Sequence, residues 1–276
     1  MSLTFHELRP FGFEVDLDLS NPISDETRLQ LQALYDRGHL LVFRHQSLTM
    51  TQQDQISGWF GPVLTDESSY ISTDESLGSL GRAELAFHSD LACTPDPYLG
   101  LSLLAVDVVD GETSTLFADA VGAAAALPPA LRERVELLNA VHLWPMSLSE
   151  RQRSSDAPAN WPGSVHPVIM RHPRTGAALL YVSRHQTDRI ESLAAEESEA
   201  LIQELYGYLY DPSNIYEHRW YAGDFLIWDN LALQHARSSL VSTGTRTLQR
   251  SAMATKSYKE LQPPELVAVY KIPVDS

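Results

Sequence analysis

"GDFLIWDNLALQHARSSLVSTGTRTLQR", residues 223–250, is the most informative stretch of the chain. The apolar run at 225–228 reads as a buried strand, "WDN" as a turn, and His235 as the start of another short strand. "TRTLQR" returns to an extended pattern. Arg246 and Arg250 are four residues apart, so an extended strand sends both to one face. Two readings stay open for this pair. It is either exposed on an edge strand or turned inward, where guanidiniums are costly unless they meet an anion. Arginine binds carboxylates through two parallel hydrogen bonds, which makes the inward reading chemically useful.

The rest of the chain extends the strand-rich pattern. "SDETRLQLQALYDRGHLLVFRHQ" reads as a helix capped by Ser24 and running into a strand. "MTQQDQISGWFGPV" is a second helix, ended by Gly61 and Pro62. Residues 65–84 are polar and Ser-rich, and read as a long loop, either a lid or a disordered segment. "YLGLSLLAVDVV" and "TSTLFADA" are strands separated by the Asp110-Gly111 turn signal. "VGAAAALPPALRERVELLN" is helical in two pieces split by Pro128 and Pro129. "HPVIMRHPRTGAALLYVS" is a hairpin with residues 173–176 in its turn. "SLAAEESEALIQELYGYLYD" is the clearest helix, with Ser192 as its cap. The fold expected is mainly β with flanking helices, a β-barrel or jelly roll rather than a doubly wound parallel sheet.

With 276 residues, 43% hydrophobic and 20% charged, the composition is that of an ordinary globular protein. The net charge of −16 argues against a nucleic-acid partner. No apolar run approaches the length of a membrane span, and no secretory signal is visible at the N-terminus. Cys93 is the single cysteine, which excludes an internal disulfide and a thiolate-rich zinc site. A cytoplasmic location is the simplest expectation.

Ten histidines invite metal readings. His88 and Asp90 in "LAFHSDLACTPDPY" are two apart, so they project together from an extended chain. Two histidines and one carboxylate on one face of an iron leave three positions open for chemistry. His235 is a candidate third ligand, although spacing alone does not distinguish this set from a hydrogen-bonded surface pair. His166 and His172 form an alternative pair, weakened by the prolines that follow each of them.

Taken in order, "FHSD", "DGETSTLFADA" and the 223–250 segment resemble the taurine dioxygenase/2,4-D dioxygenase (TauD/TfdA-like) family of Fe(II)- and 2-oxoglutarate-dependent oxygenases. The pattern is His-x-Asp, a Thr about 27 residues on, then G-D-x-x-x-W-D-N and a His, with Arg 11 and 15 residues beyond. Here Thr115 lies 27 after His88, and Arg246 and Arg250 lie 11 and 15 after His235. The resemblance implies a double-stranded β-helix (jelly-roll, cupin-like) barrel and a single catalytic domain over 1–276. It implies that His88, Asp90 and His235 ligate Fe(II), while Thr115 and Arg246 hold the distal carboxylate of 2-oxoglutarate. Arg250 would lie near the metal, facing the co-substrate or an anionic substrate group.

The implied reaction couples oxidative decarboxylation of 2-oxoglutarate, with O2, to hydroxylation, desaturation or cyclisation of a small organic acid or secondary-metabolite intermediate. Asp90 keeps the ligand position that a halogenase would vacate. The histidine that taurine-type members carry soon after their "FGxL" segment is missing from "FGPVLTDESSYIS", where Tyr70 is the nearest polar aromatic, so taurine is not the expected substrate. Residues 91–98, with the loop before His88, are expected to border the open metal face. A non-catalytic jelly-roll binding module and a zinc hydrolase using the same triad are the alternative readings. A homo-oligomer is left open.

Overall fold

The computed structural model describes residues 3–238 and 244–267. The chain begins with β1 (Thr4–Glu7), β2 (Phe13–Asp16), α1 (Asp25–Gly38), β3 (Leu40–Phe43) and α2 (Met50–Ser57). β4 (Ser69–Ser72), β5 (Ser79–Leu80) and β6 (Leu85–His88) lead into the long β7 (Gly100–Val108) and β8 (Ser114–Asp119). Two helices follow, α3 (Ala120–Ala126) and α4 (Pro129–Val135). Then come β9 (Asn139–Leu143), β10 (Gly163–Pro167), β11 (Ile169–Arg171), β12 (Ala178–Leu180) and β13 (Thr187–Ile190). After α5 (Ala195–Leu209) the chain forms β14 (Ile215–Arg219), β15 (Phe225–Asp229), β16 (Leu233–Arg237) and β17 (Arg246–Met253). Short helices α6 (Tyr258–Leu261) and α7 (Pro264–Val267) end the described region.

Two sheets carry the architecture. One has eight strands in the order β1-β2-β3-β15-β7-β17-β4-β5, the other four in the order β14-β8-β16-β6. The central strands of the large sheet are apolar without alternation because both of their faces are covered. Alternation then sorts their side chains between two cores. Leu40 and Val42 of β3, Leu226 and Trp228 of β15, and Leu101 and Leu103 of β7 join Phe117 and Leu233 of the small sheet. The opposite face of the same strands, including Leu41, Phe43, Phe225 and Ile227, packs on Leu31, Leu34 and Tyr35 of α1 and Ile56 of α2. The outer face of the small sheet, with Ala118 and Ala236, lies under α3, α4 and α5. The fold is mainly β with flanking helices, as expected.

Local differences from the sequence reading have physical causes. The Asp110-Gly111 turn, with Gly111 at φ +73°, does not close a hairpin, because β7 and β8 belong to different sheets. It hands the chain from one sheet to the other. Residues 65–84 are not structureless: β4 pairs with β17 and β5 with β4, extending the edge of the large sheet. α2 stops at Gly58 rather than at Gly61, and Thr49 begins it with a capping box to Gln52. α5 begins after Ala194, which makes no side-chain cap bond, so Ser192 is not its cap. The β11–β12 hairpin and the Ser24 cap of α1 are present as expected.

α2 is pinned to the large sheet by one buried amide. Gln53 Nε2 donates to Ser102 Oγ at 2.8 Å and to the carbonyls of Ser102 and Gln249, both at 3.2 Å. Gln53 Oε1 accepts from Gln249 Nε2 at 2.8 Å. Gln53→Leu removes these bonds and leaves the buried Gln249 amide without its Gln53 partner. The expected loss is about 2–3 kcal/mol, seen in urea unfolding as a lower midpoint at unchanged m-value.

Candidate active site

β16 sits between β8 and β6, and its register puts His235 directly opposite His88. β6 then spends three residues where β16 spends two, because Leu85 pairs with Arg237. This irregularity re-aims the end of β6. The two imidazole rings lie 4.3 Å apart, centroid to centroid. Asp90 follows just beyond the strand end, in a turn rather than in regular extension. Its backbone is clamped by buried Asn230, whose Oδ1 accepts from Asp90 N–H at 2.8 Å. Asn230 Nδ2 donates to the carbonyls of Asp90 at 3.0 Å and Tyr98 at 2.8 Å.

Asp90 Oδ1 thereby faces both histidines, 3.3 Å from His88 Nε2 and 3.5 Å from His235 Nε2. Donors about 2.1 Å from one shared ion, at right angles, would stand about 3 Å apart. The spacing therefore fits one metal ion. Among the described residues, these three are the only group of three or more His, Cys, Asp or Glu side chains close enough to share one. The other ring nitrogen of His88, Nδ1, lies 2.7 Å from the Ala86 carbonyl. As the donor there it leaves Nε2 with its lone pair toward the site. Burial pushes His235 down to about 3, helped by the neighbouring His88, so the ring is neutral and able to ligate at neutral pH. Burial alone would raise the Asp90 carboxyl. The contact with His88 and the Arg250 charge outweigh it and hold Asp90 well below the usual range.

The arginine pair resolves in favour of the interior. β17 is flanked by β7 and β4, so it is no edge. The register shift between β17 and β7 places the extra residue in β7, leaving β17 regular. Arg246 and Arg250 consequently share the face that sends Leu248 and Ala252 into the core between the sheets. Arg250 Nη2 donates to Asp90 Oδ2 at 2.8 Å, and its guanidinium lies 5.7 Å from the Tyr98 ring centroid. Arg246 is buried with its Nε unpartnered among the described residues. Burial, then repulsion from Arg237, pushes its guanidinium down to about 9, still cationic at neutral pH. Thr115 Oγ1 accepts from Trp220 Nε1 at 3.0 Å, which leaves the hydroxyl proton free to donate.

All six sequence candidates line one narrow cavity of about 70 Å³. Ile71, Leu80 and Leu85, from the segment before His88, form part of its wall. Residues 91–98 do not line it, contrary to expectation. The Asn230 clamp folds them back, and Ala92, Cys93, Thr94 and Tyr98 are buried. Tyr70 does not line the cavity either. Arg237, Trp228 and the positioning Asn230 and Trp220 were missed. For Arg237 the signal was its i+2 spacing from His235. His166 and His172 do not meet: His166 bonds the Thr94 carbonyl and His172 bonds Asp229.

The sequence profile of the taurine catabolism dioxygenase TauD, TfdA family matches residues 4–252. The chain belongs to this family. It is 31% identical over 254 residues to an (S)-phenoxypropionate/alpha-ketoglutarate-dioxygenase of Sphingobium herbicidovorans, covering 84% of this chain and 88% of that protein. It is 27% identical to the alpha-ketoglutarate-dependent 2,4-dichlorophenoxyacetate dioxygenase of Cupriavidus pinatubonensis, covering 91% and 97%. A taurine dioxygenase crystal structure from Burkholderia xenovorans superimposes with a TM-score of 0.79 at 25% identity, covering 92% of this chain and 91% of that one. The TauD/TfdA member described here is an Fe(II)- and 2-oxoglutarate-dependent dioxygenase that uses O2. Among the described residues, no helix is long and apolar enough to cross a membrane.

A buried histidine outside the cavity contributes to the acid sensitivity of the fold. His142 is buried beside His166 and Tyr181, and burial together with His166 pushes it down to about 3 from 6.5. Below pH 6.5 the unfolded chain takes up a proton that the folded chain refuses. The stability is therefore complete above pH 6.5 and is lost as pH falls toward 3, by up to about 1.4 kcal/mol per pH unit. His142→Gln is expected to flatten the stability-versus-pH slope between 6.5 and 4, measured by urea midpoints at each pH.

Proposed function

We propose that His88, Asp90 and His235 hold Fe(II), and that Thr115 and Arg246 hold the distal carboxylate of 2-oxoglutarate. The observation that carries this reading is the convergence of a three-donor metal set and an unpartnered buried guanidinium on one cavity. An uncompensated buried cation is strongly unfavourable, and a carboxylate is its natural partner. The two sheets and the core between them are read as the walls of a double-stranded β-helix forming one catalytic domain.

Bound Fe(II) supplies the redox chemistry that couples decarboxylation of 2-oxoglutarate to oxidation of a substrate C–H bond. The chain's own residues do the positioning. The Ala86 carbonyl fixes the His88 tautomer, and Arg250 holds Asp90 Oδ2 so that Oδ1 is the ligating oxygen. Trp220 donates to Thr115 Oγ1, so the Thr115 hydroxyl proton would be available to the co-substrate. Leu101, Leu103 and Trp228 keep the cavity wall apolar and exclude water.

The substrate is a small organic acid. Among the described residues, three guanidiniums line the cavity against one carboxylate, an excess of positive charge that favours anions. Arg250 has donors beyond its single bond to Asp90 and can meet an acidic group. The relatives named for phenoxypropionate and 2,4-dichlorophenoxyacetate turn over carboxylic acids of this class.

Anaerobic titration with Fe(II) and 2-oxoglutarate is expected to produce a charge-transfer band in the wild type and none in His88→Ala. With O2 and a panel of small carboxylic acids, succinate should form only when iron and co-substrate are both present. A band that survives His88→Ala refutes the ligand assignment. Turnover without O2 or 2-oxoglutarate points to hydrolysis instead. Turnover of neutral, bulky compounds alone removes the acidic substrate.

A further inference from the structure

Arg237 is a third cation in the cavity, beside Arg246 and Arg250. β16 sends it out on the same face as His235, two residues earlier. It is 3% exposed and lines the same cavity as Arg246. Its Nε donates to the Ala83 carbonyl at 3.1 Å, and its Nη2 donates to the Leu80 carbonyl at 3.0 Å and the Ala83 carbonyl at 2.5 Å. These acceptors are neutral. Among the described residues, no carboxylate pairs with Arg237 and no acceptor meets its Nη1.

Arg246 is in the same condition, 3% exposed, with no carboxylate partner among the described residues. Asp90, the one carboxylate lining the cavity among the described residues, is engaged by Arg250. Two buried, uncompensated guanidiniums close enough to repel each other are unfavourable until an anion reaches them. A carboxylate has two oxygens and about four acceptor sites. Arg246 and the Thr115 hydroxyl do not exhaust them.

We propose that Arg237 is a second cationic residue at the seat of the co-substrate's distal carboxylate, acting beside Arg246, and that the same guanidinium ties this seat to rim segment 80–83. The role presupposes that Arg246 and Thr115 hold that carboxylate, as proposed above. Leu80 belongs to both systems, since it lines the cavity and its carbonyl accepts from Arg237. Rim and seat are thereby joined through one side chain.

The test uses the full chain loaded with Mn(II) without O2, titrated with 2-oxoglutarate and separately with 2-oxobutyrate, which has the same keto-acid end and no distal carboxylate. Arg237→Gln is expected to weaken 2-oxoglutarate binding at least tenfold and leave 2-oxobutyrate and Mn(II) binding unchanged. Arg237→Lys, which keeps the charge, should lose less. An equal loss for both acids shows a rim latch only and overturns the proposal, as does unchanged 2-oxoglutarate affinity in Arg237→Gln. Failure of the wild type to bind 2-oxoglutarate overturns the assignment of the seat itself, and this role with it.

Discussion

The site depends on one cross-strand register. β16 is paired on both sides, to β8 and to β6, and this fixes His235 opposite His88. A slip of one residue would turn His235 toward the helices and bring Ala236 inward. It would also exchange Leu233 and Arg237 for residues that now pack outward. Helices α3 to α5 bury the outer face of this sheet, so a slip would expose apolar surface and bury cations in an apolar core. The packing of the outer face thus enforces the geometry of the inner one.

The interior between the sheets is divided by chemistry. Phe117, Trp228, Leu226 and Leu248 supply the apolar part, and the His, Asp and Arg side chains share one end of the same space. Among the described residues, the charged end is compensated at one point, where Arg250 meets Asp90. Arg237 and Arg246 are held in place by backbone and packing without a counter-charge among the described residues. A cavity of this kind is pre-organised for an anion, because the unfavourable burial of the cations was met on folding.

A second layer of residues keeps Asp90 where it is. Asn230 reaches from the turn after β15 to the backbone of Asp90 and Tyr98. Its neighbour Asp229 accepts from the N–H groups of Leu231 and Ala232 and pairs with His172 and Arg174. The turn that carries Asn230 is therefore rigid, and so is the loop that carries Asp90. The same clamp folds residues 91–98 away from the cavity and leaves the wall to Ile71, Leu80 and Leu85.

The six candidate residues were assigned by resemblance to a family rather than by local sequence, which was sufficient for the strand-rich class, the β11–β12 hairpin and the α1 cap because periodicity and capping are local signals. Local sequence also stated that Arg246 and Arg250 share a face. It could not say which face, because that depends on whether β17 is an edge strand, a property of the neighbours it acquires from residues far away in the chain. The same limit hid the sheet change at Asp110-Gly111, the strands within 65–84 and the retreat of 91–98. It also hid Arg237, whose charge looks like surface until β6 pairs with β16 and closes segment 80–83 over it. Residue chemistry and spacing were written in the chain; burial, counter-charge and convergence exist only once strands distant in sequence have paired.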